Sequence, residues 1–152
     1  MNKQEALNKI EELKSYVEGL DKKPKTVWDL KDGDEYCALY TGGVISNLWG
    51  SSCIDIGLRN QGRAFLTREE AKRESSRRET HTELERLAGG FKYVFCENMG
   101  FYIYHDGDNF DVASHGYMVT ANMVYFETRE ACEAAIKVIG EERLNVYFDL
   151  ED

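Results

Sequence analysis

Hydrophobic residues in the first twenty positions recur with the period of an α-helix. They stand four, three, four and three positions apart, at Ala6, Ile10, Leu13, Val17 and Leu20, which places them on one helix face. Gly19 and Pro24 follow as helix-ending signals. The pattern predicts an N-terminal amphipathic helix over residues 1–20. It either packs against the chain's own sheet or self-associates into a homodimer, because the spacing also fits a short a/d seam.

From Thr26 onward the pattern changes to short apolar runs separated by turn residues, which is typical of β-strands. The predicted strands cover residues 35–40, 44–49, 52–58, 91–95, 101–104, 110–113, 117–119, 123–126 and 146–148. The tight turn Asp106-Gly107-Asp108-Asn109 joins two of these runs, since these residue types favour hairpin turns.

The pattern F-x-T-R-E occurs twice, at residues 65–69 and 126–130, and each copy follows a group of predicted strands. In the first copy, Thr67 and Glu70 form a capping-box pattern that opens a helix ending near Ala88. In the second copy, Thr128 is the predicted N-cap of a helix that ends near Gly140.

This repetition predicts an α+β fold in which an N-terminal helix precedes two tandem antiparallel β-meander-plus-helix units. The predicted boundaries are residues 1–20, 26–88 and 91–152. The units are expected either as separate bodies or packed as one compact domain.

The charge balance narrows the classes of partner. The 152 residues include 28 acidic and 19 basic side chains, a net charge of −9 and a pI near 4.9. Such a charge repels phosphates and anionic membranes and favours basic partners. There is no apolar N-terminal stretch, no apolar run of the roughly 20 residues that span a bilayer, and no C-x-x-C among four cysteines. The expected location is the reducing cytoplasm, with no membrane partner.

The sequence carries no recognisable hydrolase or nucleotide-binding motif and only three histidines. His105 and His115 flank the turn at Asp106–Asn109, but the spacing does not match an EF-hand loop. Cys37 or Cys96 as a nucleophile would need an electropositive setting that the sequence does not place nearby. These observations predict a protein that is not an enzyme and that holds no cofactor and no metal.

Two surfaces remain as candidates for binding. The first joins tyrosines, which are enriched in interfaces, to carboxylates: Tyr102, Tyr104, Asp106, Asp108, Asp111 and Glu97. The alternative is the local basic stretch from Arg59 to Arg78, which would grip phosphate through bidentate contacts; its candidates are Arg63, Arg68, Arg73, Arg77 and Arg78. These arginines also fit a solvated helix face with i,i+4 pairs such as Glu69–Arg73.

Several motifs together resemble those of small proteins encoded by phages and prophages of Gram-positive bacteria. They are Trp28-Asp29-Leu30, Gly33-Asp34-x-Tyr36, Trp49, and residues 62–71, 125–130 and 135–143. The resemblance spans most of residues 26–148, is carried by strand ends and helix caps, and brings over no catalytic residue. It implies action in a bacterial host cytosol.

Inhibitors of host defence, including anti-CRISPR proteins, are a prominent class among small acidic phage proteins. The resemblance and the acidic charge therefore favour an anti-CRISPR protein that occludes the nucleic-acid-binding surface of an effector nuclease such as Cas9, as a DNA mimic. The alternative is a nucleic-acid or nucleotide-binding phage accessory protein that uses the segment from Arg59 to Arg78.

Overall fold

The computed structural model describes residues 8–14, 26–94, 97–115 and 123–150. Within them the chain is α+β, with five helices and two small antiparallel sheets. The helices are α1 (residues 8–14), α2 (Cys53–Asn60), α3 (Arg68–Leu87), α4 (Arg129–Ile139) and α5 (Glu141–Phe148). The strands are β1 (Glu35–Tyr40), β2 (Gly43–Leu48), β3 (Ala64–Phe65), β4 (Gly100–His105) and β5 (Phe110–His115).

By its internal contacts the chain divides into two compact units, residues 1–71 and 72–152, and the division falls within α3. The predicted boundaries near residues 88 and 91 stay predictions. In α1, the side chains of Ile10 and Leu13 are 48% and 63% exposed, so the chain's own sheet does not cover these two positions. The remaining residues of the predicted N-terminal helix, 1–7 and 15–20, lie outside the described ranges.

The first unit is built around a three-stranded antiparallel sheet in the order β2-β1-β3. The β1–β2 hairpin follows the prediction closely, and Gly43 adopts a φ of 118° at its turn, a conformation that favours glycine. The central strand buries four consecutive residues, as expected for a strand covered on both faces. The core consists of Leu30, Tyr36, Ala38, Trp49, Leu58 and Ala64.

The predicted strand at residues 52–58 is wrong, because this segment forms α2. The alternation of Ile54, Ile56 and Leu58 resembles a half-buried strand, yet Ile54 is 64% exposed. A local capping box stabilises the helix instead. The Ser52 hydroxyl accepts the Asp55 backbone N–H, and the Asp55 carboxylate accepts the Ser52 backbone N–H.

The second unit contains the β4–β5 hairpin, and the predicted turn at residues 106–109 is confirmed. Asp106 Oδ1 accepts the backbone N–H groups of Asp108 and Asn109 at 2.9 and 2.8 Å. Phe126 extends this sheet by an isolated bridge to Phe101. The core beneath it consists of Leu84, Ile103, Val112, Phe126, Cys132, Ala135, Ile139 and Leu144.

Both predicted helix caps are confirmed: Thr67 and Glu70 exchange capping-box hydrogen bonds, and Thr128 accepts the Ala131 backbone N–H. The predicted strand at residues 146–148 is wrong, since α5 begins directly after Gly140 and places Leu144 in the core. Residues 91–94 form no regular strand, and of the predicted strand at 123–126 only residue 126 is bridged. The predicted strand at 117–119 lies outside the described residues.

Candidate functional site

The β4–β5 hairpin holds the predicted acidic candidates on one continuous segment. Asp106, Asp108 and Asp111 are exposed at or beside its turn, and Glu97, also exposed, precedes β4. Between Lys92 and Arg129 the sequence contains no lysine and no arginine. In the described part of the chain, no ion pair reaches any of these four carboxylates. The hairpin therefore presents a negative surface that the described residues do not neutralise.

Asp106 also shapes this surface. The backbone N–H of Asn109, and then that of Asp108, lower the pKa of the Asp106 carboxyl by stabilising its charged form. The hydrogen bonds of the turn thus favour the ionised form of Asp106. Asp111 Oδ1 accepts the Val112 backbone N–H at 2.7 Å. The Asp108 side chain is exposed and makes no described hydrogen bond.

The tyrosines of the predicted surface are less exposed than the alternating pattern suggests. Tyr102 and Tyr104 are half-buried, and burial raises the pKa of Tyr102. Tyr102 meets Tyr125 edge-on at 6.0 Å between ring centroids, and Tyr125 stacks on Tyr93 at 4.7 Å. This aromatic cluster supports the base of the hairpin and leaves only part of Tyr102 for a partner.

The structure engages most of the arginines of the alternative surface internally. Arg63 Nε donates to the Leu39 carbonyl oxygen at 2.7 Å, inside the first unit. Arg73 pairs with Asp149 at 3.1 Å and not, as predicted, with Glu69. Arg78 and Arg77 both approach the Glu74 carboxylate, at distances of 2.7 and 4.0 Å. Arg68 is exposed at the start of α3.

Sequence reasoning missed a concave pocket of about 680 Å³ in the second unit. One wall is α3, which contributes Arg77, Arg78 and His81, and the opposite wall includes Tyr147 of α5. The signal available in the sequence was the placement of Arg77, His81 and Leu84 at helical spacing, which puts them on one side of α3. In the structure Leu84 is buried, and Arg77 and His81 are half-buried.

His81 and Tyr147 connect the two walls of this pocket. His81 Nδ1 lies 2.8 Å from the Tyr147 hydroxyl, and the rings stack with centroids 5.9 Å apart. On its outer side, His81 Nε2 is 3.6 Å from Glu85. Burial raises the pKa of the Tyr147 hydroxyl, and the positive charge of Arg77 opposes this shift. The pocket therefore has a neutral phenol and a nearby guanidinium at its edge.

The first unit contains a different arrangement, in which Arg59 lies between two indoles. Its guanidinium carbon is 4.6 Å from the Trp28 ring centroid and 5.0 Å from that of Trp49. Trp28 is 63% exposed, whereas Trp49 is buried. Cation–π contacts with the two indoles stabilise the positive charge of Arg59 at the edge of the core.

Among the described residues no group of three or more His, Cys, Asp or Glu side chains could hold a metal ion. Cys37 and Cys132 are buried and Cys53 is exposed, while Cys96 lies outside the described ranges. Burial raises the pKa of the Cys132 thiol to about 12, which suppresses its reactivity.

Comparisons with protein-family models, curated proteins and solved structures gave no match to this chain. A search of the described helices for one that is long and apolar enough to cross a membrane found none.

Proposed function

We propose that the chain is a protein-binding inhibitor of a bacterial defence system. In this proposal the β4–β5 hairpin occupies a positively charged nucleic-acid-binding surface of an effector nuclease, with a CRISPR nuclease such as Cas9 as the leading partner. The observation that carries the proposal is the exposed set Asp106, Asp108 and Asp111 on a paired hairpin, with no ion pair to a lysine or arginine among the described residues.

A basic channel that binds nucleic acid attracts carboxylates by the same long-range field that attracts phosphates. A hairpin suits this role because its two paired strands restrict the positions of the charged side chains before binding, which lowers the entropy cost of association. The half-buried Tyr102 and Tyr104 would add contact area beside the charges. The net charge of −9 favours the encounter over the whole molecule.

The setting and the assembly belong to the same proposal. The resemblance of the sequence motifs to those of phage proteins supports action in the bacterial cytosol. The exposed side chains of Ile10 and Leu13 on α1 support self-association through the N-terminal helix. The capping Thr67 and Thr128, one in each unit, support two repeats of a single meander-plus-helix construction.

The alternative, a nucleic-acid-binding accessory protein that uses the arginines from Arg59 to Arg78, is less well supported by the contacts. Arg63 donates to a part-buried carbonyl oxygen, and Arg73 and Arg78 form exposed ion pairs with carboxylates of the same chain. A phosphate would have to compete with these contacts.

The test is a pull-down and a DNA-cleavage assay with purified Cas9 nucleases from Gram-positive bacteria. We expect a salt-sensitive complex and inhibited cleavage. The triple variant Asp106→Asn, Asp108→Asn, Asp111→Asn should lose both, because it removes three charges from the hairpin while amides retain the turn's acceptor groups.

The matched control is the triple variant Glu127→Gln, Glu141→Gln, Glu142→Gln, which removes the same number of exposed charges outside the hairpin. It should retain binding and inhibition. Equal loss of binding in both triple variants would show that only net charge matters, and it would contradict the proposal that the hairpin contacts the nuclease. Absence of binding to every nuclease tested, together with tight salt-sensitive binding to free RNA or DNA in gel shifts, would favour the accessory protein instead.

A further inference from the structure

We propose that the pocket between α3 and α5 binds an amphipathic organic anion, namely a hydrocarbon chain that ends in a carboxylate. This site is separate from the β4–β5 turn. The proposal rests on three features of the second unit: an apolar floor, an arginine at the rim without a short carboxylate contact, and a volume of about 680 Å³.

The floor of the pocket is hydrocarbon. It is lined by Leu84, Ile103, Val124, Phe126 and Phe148. Leu84, Ile103 and Phe126 are core residues that are at most 4% exposed, so the floor is held in place by the packing of the unit. The half-buried Val124 and Phe148 supply the apolar surface that a ligand can still cover. Burial of that surface and of the ligand's own hydrocarbon chain contributes about 25 cal/mol per Å².

The rim is cationic and unevenly paired. Arg77 and Arg78 both face Glu74, so two guanidinium groups share one carboxylate. Arg78 Nε donates a hydrogen bond of 2.7 Å to Oε1 of the Glu74 carboxylate. Arg77 Nη1 stays 4.0 Å away, which is longer than a hydrogen bond. A second carboxylate at the rim would balance the remaining charge and could accept two N–H groups of Arg77 in parallel.

The polar groups that lie beside these arginines are already hydrogen-bonded within the chain, so they make no strong demand for a polar ligand in the centre of the pocket. The Tyr147 hydroxyl and His81 Nδ1 satisfy each other at 2.8 Å, and the Thr82 hydroxyl donates to the Arg78 carbonyl oxygen at 2.9 Å. The volume lies in the range of known small-molecule sites, roughly 300–1,000 Å³. The pocket therefore suits one anionic head at Arg77 and an apolar body over the floor.

The test is isothermal titration calorimetry of the full chain with three probes, each below its micellar concentration. Decanoate combines the chain and the anion, decyltrimethylammonium carries the chain with the opposite charge, and acetate carries the head alone. We expect saturable binding of decanoate at one site and at least tenfold weaker binding of the other two. Equal binding of decanoate and decyltrimethylammonium would overturn the proposal, as would no decanoate binding.

Two variants locate the site. Arg77→Gln should weaken decanoate binding by about tenfold, because a hydrogen-bonded charge pair is lost. Its matched control is Arg86→Gln, since Arg86 forms a comparable i,i+3 pair with Glu83 at 3.8 Å but does not line the pocket. Arg86→Gln should leave the affinity unchanged. Equal effects of the two variants would contradict binding at the rim of the pocket.

Thr82→Trp provides a steric test that does not alter the floor. Thr82 is an exposed position of α3 that lines the pocket, so an indole there should obstruct the ligand and abolish measurable binding. Glu79→Trp, at an exposed position of the same helix outside the pocket, should bind decanoate like the unmodified chain. Unchanged binding in Thr82→Trp would place the ligand elsewhere and refute the site.

Discussion

The hydroxyl of Tyr36 in β1 donates a buried hydrogen bond of 2.7 Å to Oδ1 of Asp55 in α2. This contact joins the central strand to a helix that lies nineteen positions away in the chain. Burial, followed by the hydrogen bond to Asp55, raises the pKa of Tyr36 to about 12. The phenol therefore remains the donor at neutral pH, and the carboxylate remains the acceptor.

Replacement of Tyr36 by Phe should reduce the free energy of unfolding by about 1.5–3 kcal/mol, the usual range for a hydrogen bond to a charged group. The variant keeps the ring but leaves Asp55 without its phenol donor. Urea denaturation of the full chain measures the loss. Tyr40→Phe is the control, since Tyr40 lies on the same strand, is only half-buried and has no described hydrogen bond to a carboxylate. Similar losses in both variants would contradict this role.

Stability should also depend on pH through Asp55. The Ser52 hydroxyl, which donates to Asp55 Oδ2 at 2.7 Å, and then the Tyr36 hydroxyl lower the pKa of this carboxyl below its ordinary 3.8. A carboxyl whose pKa is lower in the folded state stabilises the fold at pH values above its pKa in the unfolded chain. It loses this contribution as the pH falls through the folded-state pKa.

Ser52→Ala should therefore cost about 1 kcal/mol near neutral pH, through the lost N-cap and the lost donor to Asp55. The difference from the unmodified chain should shrink as the pH falls from about 6 to about 2.5. Ser76→Ala, an exposed substitution in α3, should have little effect at either pH. Urea unfolding at the two pH values checks this, and a pH-independent Ser52→Ala difference would argue against the linkage.

Two glycines should respond to alanine in opposite directions. A Cβ at Gly100 would lie 2.8 Å from the Tyr125 ring and 2.9 Å from the Tyr93 ring, so it must displace the stacked pair. We expect Gly100→Ala to lower the unfolding free energy by about 1–3 kcal/mol. Gly57, inside α2, has open space around its Cβ position, and Gly57→Ala should stabilise the chain by about 0.5–1 kcal/mol. Thermal unfolding of both variants distinguishes these signs; destabilisation by Gly57→Ala would be contrary to a regular α2.

The repeated threonine caps should be equivalent in energy. Thr67 Oγ1 and Thr128 Oγ1 each accept a backbone N–H in the first turn of a helix, at 3.2 and 3.1 Å. Each substitution by Ala should destabilise the chain by about 1 kcal/mol. Thr82→Ala, at an exposed mid-helix position, should be neutral or stabilising, because Ala is the better helix former. If urea unfolding showed no loss of stability for one of the two Thr→Ala variants, that threonine would not act as a stabilising cap, and the proposed repeat would lose one of its two copies.

Features that depend on neighbouring residues were predicted well from the sequence. The Thr67 and Thr128 caps, the β1–β2 hairpin and the turn at Asp106–Asn109 each need only contacts within a few positions. The α+β class follows from the same local signals. The negative segment that contains the hairpin can also be located by reading the charges.

The tertiary structure decided what local patterns leave ambiguous. Ile54 and Ile56 alternate as in a strand, whereas the Ser52–Asp55 capping box favours a helix. The buried hydrogen bond from Tyr36 to Asp55 is the tertiary contact that favours the helix over the strand. Leu144 determines that the aromatic tail is helical, because it enters the core one turn after Gly140.

The pocket has the same origin. His81 and Tyr147, sixty-six positions apart, meet only because α3 and α5 pack on the same core. No local pattern encodes that contact. The two side chains come together because their helices pack against a shared core, and their distance along the chain follows no helix or strand period. Local sequence is sufficient for the caps, the turns and the charge of the hairpin, whereas the pocket exists only because distant elements pack on one core.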